Sequence, residues 1–255
     1  MGFLWGIFGI LVIFAIGFAF STNRKAINWR IVLSGLAVQV TFAFVVLKWD
    51  LGRQALMKLS DAVQQVVSYA NEGITFLFGG LVNNDAIGMV FAINVLTIII
   101  FFSSLISVLY YLGIMQIVIK FIGGFLSKVL GTTKAESISA AANIFVGQTE
   151  APLVIRPFLN TMTRSQLFAV MTGGLASVSG SVLVGYSLLG VPLEYLLAAS
   201  FMAAPAGLVL AKLIMPETEE VDESSFKLER DKTATNVIEA AANGAADGLK
   251  LAANV

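Results

Sequence analysis

The sequence predicts an all-α polytopic membrane protein, and three observations carry that prediction. Hydrophobic residues make up 57% of the 255-residue chain, and the mean hydropathy is +0.86. Charged residues account for 13%, about half the usual share of a soluble domain. Several apolar runs approach the ~20 residues that a helix needs to cross a bilayer. A transmembrane barrel would show short alternating segments instead, and the sequence has none. Five spanning helices are expected, with an interfacial amphipathic helix and one re-entrant helical hairpin.

The first span is expected at residues 3–20. It lacks a basic leader and a convincing cleavage site, so it reads as a retained helix. A short basic loop, Ser21 to Arg30, leads to the second span at 31–49. From Leu51 to Tyr69, Leu51, Leu56, Leu59, Val63, Val66 and Val67 recur at helical spacing among polar residues. That pattern predicts an amphipathic helix lying at the membrane surface. Residues 71–84 are punctuated by Gly and read as irregular. The third span is expected at 87–112, followed by a moderately apolar segment at 114–130. A fourth at 167–189 is interrupted by the small residues of 173–181. The fifth runs over 193–214. Residues 216–235 read as an acidic solvated loop, and 236–255 as the start of a further helix.

Basic residues set the expected orientation. With the N-terminus outside, Arg24, Lys25, Arg30, Lys120, Lys128, Lys134, Arg156, Arg164, Lys212, Lys227, Arg230 and Lys232 face the cytoplasm. Lys48, Arg53 and Lys58 face outward, and Lys250 is unassigned. The 216–235 loop then lies in the cytoplasm. The chain thus divides into scaffold-type helices (1–132), a hairpin with the broken fourth helix and the fifth (133–215), and the loop with its following helix (216–255).

The chemistry concentrates in Asn143-Ile-Phe-Val-Gly-Gln-Thr-Glu-Ala-Pro152. Glu150 is the only acidic residue between Glu136 and Glu194, and a carboxylate at membrane depth is a functional-site hypothesis by default. The arms on either side, 134–146 and 151–160, each cover only ~15–20 Å as helices, about half of a hydrocarbon core. Gly147 and Pro152 break the backbone between them, so the pattern describes a re-entrant hairpin whose freed backbone groups line protein or a wet cavity. Gln148, Thr149 and Glu150 offer donors and acceptors for a polar organic ligand. The helix C-terminus near Val146, with Asn143 one turn back and the break at Ser177-Val178, suits a cation. By pattern alone, the tip also fits a turn between surface helices, and the small residues of the fourth helix also fit close helix packing.

The chain contains no His and no Cys, which removes the commonest metal ligand and general base together with thiol chemistry. One isolated deep carboxylate does not furnish the paired groups of an intramembrane enzyme, so a carrier is expected, not an enzyme. Zero net charge gives no reason to expect a nucleic-acid partner.

Gly147-Gln-Thr-Glu-Ala-Pro-Leu-Val-Ile-Arg-Pro157 resembles the concentrative nucleoside transporters, the bacterial nucleoside-permease group. The resemblance extends to Asn23–Asn28, Phe78–Leu81, Ser104–Leu112, Ala135–Asn143, Phe168–Ser177 and Ala199–Pro205, and so covers essentially the whole chain. It implies sodium-coupled nucleoside import across a bacterial inner membrane, with no cofactor beyond the coupling ion. Gln148 and Thr149 would contact the base, Glu150 the base or ribose, and Val182 would pack on the base. Sodium would be held by Asn143, the Val146 carbonyl, Ser177 and the Val178 carbonyl; both side-chain ligands are present, which favours sodium over protons. The family forms trimers, whose scaffold holds a transport domain that moves like an elevator.

Members of that family carry a second, inverted-topology repeat with another hairpin and another carboxylate. This sequence reaches Val255 before any such stretch, so the expectation is the N-terminal part of an inverted-repeat transporter, holding half a site and not transporting alone. The alternatives are a truncated non-transporting fragment, and a proton-coupled carrier of nucleosides or other polar solutes.

Overall fold

The computed structural model describes residues 2–82, 90–146, 151–219 and 234–254, and these are all helix, turn and loop. Eleven α-helices follow one another among the described residues: α1 (Gly2–Ala19), α2 (Trp29–Leu47), α3 (Asp50–Phe78), α4 (Phe91–Asn94), α5 (Leu96–Tyr111), α6 (Ile114–Leu130), α7 (Lys134–Ala142), α8 (Arg164–Leu175), α9 (Gly180–Leu188), α10 (Leu193–Ile214) and α11 (Val237–Asn254). A 3₁₀ stretch, Ala151–Thr161, lies between α7 and α8. Among the described residues, three segments are long and apolar enough to cross a membrane: Trp29–Leu47, Phe91–Tyr111 and Leu193–Ile214. Leu4–Ala19 is apolar but shorter. The expected fourth span is divided between α8 and α9, each about half a bilayer long.

The chain forms two compact units. One comprises Met1–Phe42, Lys120–Ser177 and Met202–Leu228. Its core joins Ile27, Val32, Val209 and Leu213, with Phe14 packed against them. Gly17 and Gly35 let α1 and α2 approach α10 closely: a Cβ on Gly17 would lie 2.7 Å from Leu213, and one on Gly35 would overlap Val209. The α6–α7 contact is equally tight, since a Cβ on Gly123 would sit 2.9 Å from the Ile138 Cα. Gly131, at φ +77, ends α6 in the left-handed conformation that glycine adopts without penalty. Helix α7 packs against both the 3₁₀ stretch and α8.

The other unit comprises Ala43–Ile119, Val178–Phe201 and Glu229–Val255. Its core joins Val67, Ala70 and Ile74 of α3 to Ile98 and Phe102 of α5 and Val184 of α9. This core corrects the expectation of irregular structure from residue 71. Ile74 continues the buried line of Val67 and Ala70 one turn further, and the helix persists through Gly73 until Gly79 ends it at φ +48. Burial of that line outweighs the modest helix cost of a single glycine. Leu51 and Leu59, expected on one apolar stripe with Leu56, are 66% and 42% exposed. The line of buried residues is Gly52, Leu56, Val67, Ala70 and Ile74.

The segment after residue 236 is a full helix, α11, packed along α5. Ala240, Gly244, Gly248 and Ala252 are its buried residues, a four-residue spacing that puts them on one face. A Cβ on Gly244 would lie 2.5 Å from the Ser107 Cβ, and one on Gly248 would lie 2.8 Å from the Ile100 Cα. Ser104 and Ser107 donate to the carbonyls of Ala241 and Ala240, each at 2.8 Å.

Candidate functional site

The site is built on two short helices of the first unit, α7 and α8. Each opens with a capping box that its sequence spells out: Thr133-x-x-Glu136 and Thr163-x-x-Gln166. The Thr133 N–H donates to Glu136 Oε1 at 2.7 Å. The Thr163 N–H donates to Gln166 Oε1 at 2.9 Å, while Thr163 Oγ1 accepts from the Gln166 N–H at 3.1 Å. The boxes are joined, because Gln166 Nε2 donates to Thr133 Oγ1 at 2.9 Å.

At the other end of α7, Asn143 occupies the C-cap. Its side chain is 1% exposed. Among the described residues, neither Oδ1 nor Nδ2 has a hydrogen-bond partner. Buried amides are almost always paired, and leaving one unpaired costs about 1–3 kcal/mol. The cost falls where a helix C-terminus already concentrates negative potential, a combination that fits a cation. Helix α8 passes close by: a Cβ on Gly173 would lie 3.2 Å from Asn143 Nδ2. Helix α10 supports α8 from behind, with a Cβ on Gly207 only 3.3 Å from the Gly173 Cα. Helix α8 ends at Leu175, so Ser177 and Val178 fall in the break before α9.

Of the residues singled out from sequence, Val146 is buried and Ser177 is half-buried, both in the same unit as Asn143. Val178 is 41% exposed and begins the second unit's next segment. Val182 is half-buried on α9, where its N–H donates to the N-cap Ser179 Oγ at 3.4 Å. Gln148, Thr149 and Glu150 lie outside the described residues.

Sequence reasoning missed a second polar centre at the opposite ends of α7 and α8. Lys212, expected among the cytoplasm-facing basic residues, is 3% exposed, and its Nζ lies 2.7 Å from Glu136 Oε2. The same ammonium donates to Ser165 Oγ at 2.9 Å and to Glu217 Oε2 at 3.4 Å. Glu217, expected in a plain solvated loop, also accepts from Thr163 Oγ1 at 2.7 Å. Burial pushes the Glu217 carboxyl up, but hydrogen bonds from Thr163 and the Glu219 N–H, with the Lys212 charge, hold it below its ordinary range. Both carboxylates meet helix N-termini, which offset the excess negative charge over one lysine. The capping boxes were the readable signal; the lysine's partners were not.

Residues 8–81 match the model of the Na⁺-dependent nucleoside transporter N-terminus. Residues 92–193 match the nucleoside recognition (gate) model, and 195–255 match the Na⁺-dependent nucleoside transporter C-terminus. The chain belongs to the concentrative nucleoside transporter family. Within that family it is 56% identical to the uncharacterised transporter YutK of Bacillus subtilis, over 100% of this chain and 63% of that protein. It is 52% identical to the nucleoside permease NupC of Helicobacter pylori, over 99% of this chain and 61% of that protein. The solved transporter CNTnw, in an inward-facing substrate-bound state, matches with a TM-score of 0.94 and 54% identity, over 100% of this chain and 63% of that one. The chain therefore spans about three fifths of the length of these relatives. Membership puts it in a family of transporters, not of enzymes.

Proposed function

We propose that the protein serves sodium-coupled nucleoside uptake across a bacterial inner membrane. The observation that carries this reading is Asn143: a 1% exposed amide with no partner among the described residues, at the C-terminus of a short helix. A sodium ion coordinated there by neutral oxygens would satisfy the Oδ1 atom without requiring a carboxylate. The Val146 carbonyl, Ser177 and the Val178 carbonyl complete the ligand set. Gln148, Thr149 and Glu150 bind the nucleoside, and Val182 packs on its base. In this reading α7, the tip and the 3₁₀ stretch form a re-entrant hairpin entering from the cytoplasmic side. The chain spans the lipid bilayer five times, with the N-terminus outside and the 216–235 loop in the cytoplasm, and assembles as a homotrimer. Support comes from the family match and from the short, packed arms of 134–142 and 151–161.

Uptake of labelled uridine by a nucleoside-uptake-deficient bacterium expressing the completed, full-length protein that carries this chain tests the proposal. Uptake is expected to require sodium, with choline as the replacement cation, and Asn143→Ala is expected to remove the sodium stimulation. Sodium-independent uptake would overturn the coupling. Full uptake by Glu150→Gln would overturn the substrate assignment.

A further inference from the structure

The Lys212–Glu136 centre has the form of a clamp acting on the cation site from a distance. Glu136 and Asn143 are seven residues apart, two helical turns, so they share one face of α7 about 10 Å from each other along the axis. Whatever fixes Glu136 in rotation about the α7 axis therefore also fixes the direction of Asn143. Lys212 supplies that constraint from α10, and it reaches Ser165 in the first turn of α8 with the same ammonium. The Gln166–Thr133 bond ties the two N-termini directly. At the far ends, Gly173 admits Asn143 within a distance that any side chain would crowd. Ser177 follows two residues beyond the last residue of α8, Leu175. The two helices are thus locked at one end by charge and hydrogen bonds, and brought together at the other by glycine.

We infer that Lys212 and Glu136 are positioning residues for the cation site, setting the register of α7 against α8 so that Asn143 and Ser177 face one ion. This inference rests on the sodium reading above. Neither residue touches the ion; the pair acts through the two helices. A purely structural ion pair would affect folding alone, and its replacement by neutral groups of similar volume is often tolerated. A positioning pair affects the ion's affinity even in a folded variant, because supporting groups around a cation site typically change affinity about 10–100-fold. The surroundings also leave room for a conservative test. A cavity of about 260 Å³ borders the pair, lined in part by Asn28, Gly131, Thr133, Glu136, Lys212 and Glu217. A guanidinium at position 212 has space there to keep bonds to the same acceptors.

The test uses the full chain purified in detergent, titrated with sodium chloride against choline chloride at constant ionic strength and read by thermal melting. The unmodified chain is expected to show saturable, sodium-specific stabilisation, and Asn143→Ala is expected to lose it. Lys212→Met combined with Glu136→Gln is expected to melt cooperatively without sodium but to need about tenfold more sodium for half-maximal stabilisation. Lys212→Arg is expected to keep the original midpoint. A folded double variant with the original midpoint would overturn the positioning role and leave the sodium reading standing. If the double variant does not fold, Glu217→Gln carries the test: it removes one partner of the ammonium and is expected to raise the midpoint about threefold. An unchanged midpoint there would overturn the inference. Absence of sodium-specific stabilisation in the unmodified chain would overturn the sodium reading, and this inference with it.

Discussion

The α7–α8 pair and the α5–α11 pair hold two helices together by opposite means. Helices α7 and α8 are tied at their N-termini by side chains: two capping boxes, a bridging Gln166, and an ammonium shared by Glu136, Ser165 and Glu217. Helices α5 and α11 are held by the near absence of side chains, with Gly244 and Gly248 letting the α11 backbone rest on Ser103, Ser107 and Ile100. The first arrangement is directional and fixes rotation as well as distance. The second relies on close packing along a smooth face, with two serine hydroxyls adding bonds of the kind that hold helices together in apolar surroundings. The directional arrangement occurs where the candidate ion ligands must point a particular way. The smooth one occurs where helices need only stay adjacent.

The largest expected effect comes from breaking the charged clamp. Glu136→Gln leaves a 3% exposed ammonium with Glu217, at 3.4 Å, as its remaining carboxylate, and removing one partner of a buried pair costs about 3–5 kcal/mol. Denaturant unfolding in detergent is expected to show a loss near the lower end, since Glu217 and Ser165 remain. A loss below about 1 kcal/mol would place the pair with weak, solvent-screened bridges instead.

Next comes the smooth contact. Gly244→Val puts a Cβ 2.5 Å from Ser107 and 2.8 Å from the Ser103 carbonyl oxygen, and overpacking of this kind costs about 1–3 kcal/mol. Gly73→Ala is the control. Nothing lies within 4 Å of the added methyl on the exposed face of α3, so a gain of about 0.5–1 kcal/mol is expected from helix propensity. Equal effects at the two glycines would refute close packing as the basis of the α5–α11 contact.

The smallest effect is the pH dependence contributed by Glu217. Its folded value lies below the ordinary carboxylate value of 4.5, so its stabilisation is complete above that value and is lost as pH falls through the folded one. Melting temperature is therefore expected to fall more steeply below about pH 4.5 in the unmodified chain than in Glu217→Gln. Parallel curves would show that Glu217 contributes nothing to the clamp.

Much of the local architecture was legible. The apolar runs mark helices long enough to span, the small residues of 173–181 mark the break between α8 and α9, and the T-x-x-E and T-x-x-Q motifs mark two helix starts. The Asn143 end of α7 was also identifiable, because a polar amide beside Gly147 in an apolar stretch stands out by composition. The continuation of α3 was not legible, since Gly73 weakens the local signal and the burial of Ile74 against Ile98 and Phe102 restores it.

By itself, the sequence determined what acts over a few residues: helical class, caps and the break between α8 and α9. These follow from periodicity and backbone chemistry within one or two turns. Tertiary structure alone decided that Lys212, expected to face the cytoplasm from the end of the fifth span, is buried against Glu136, itself 1% exposed. An ion pair between groups so far apart in the chain leaves no local pattern, because its strength comes from a low-dielectric surrounding that exists once the helices have packed.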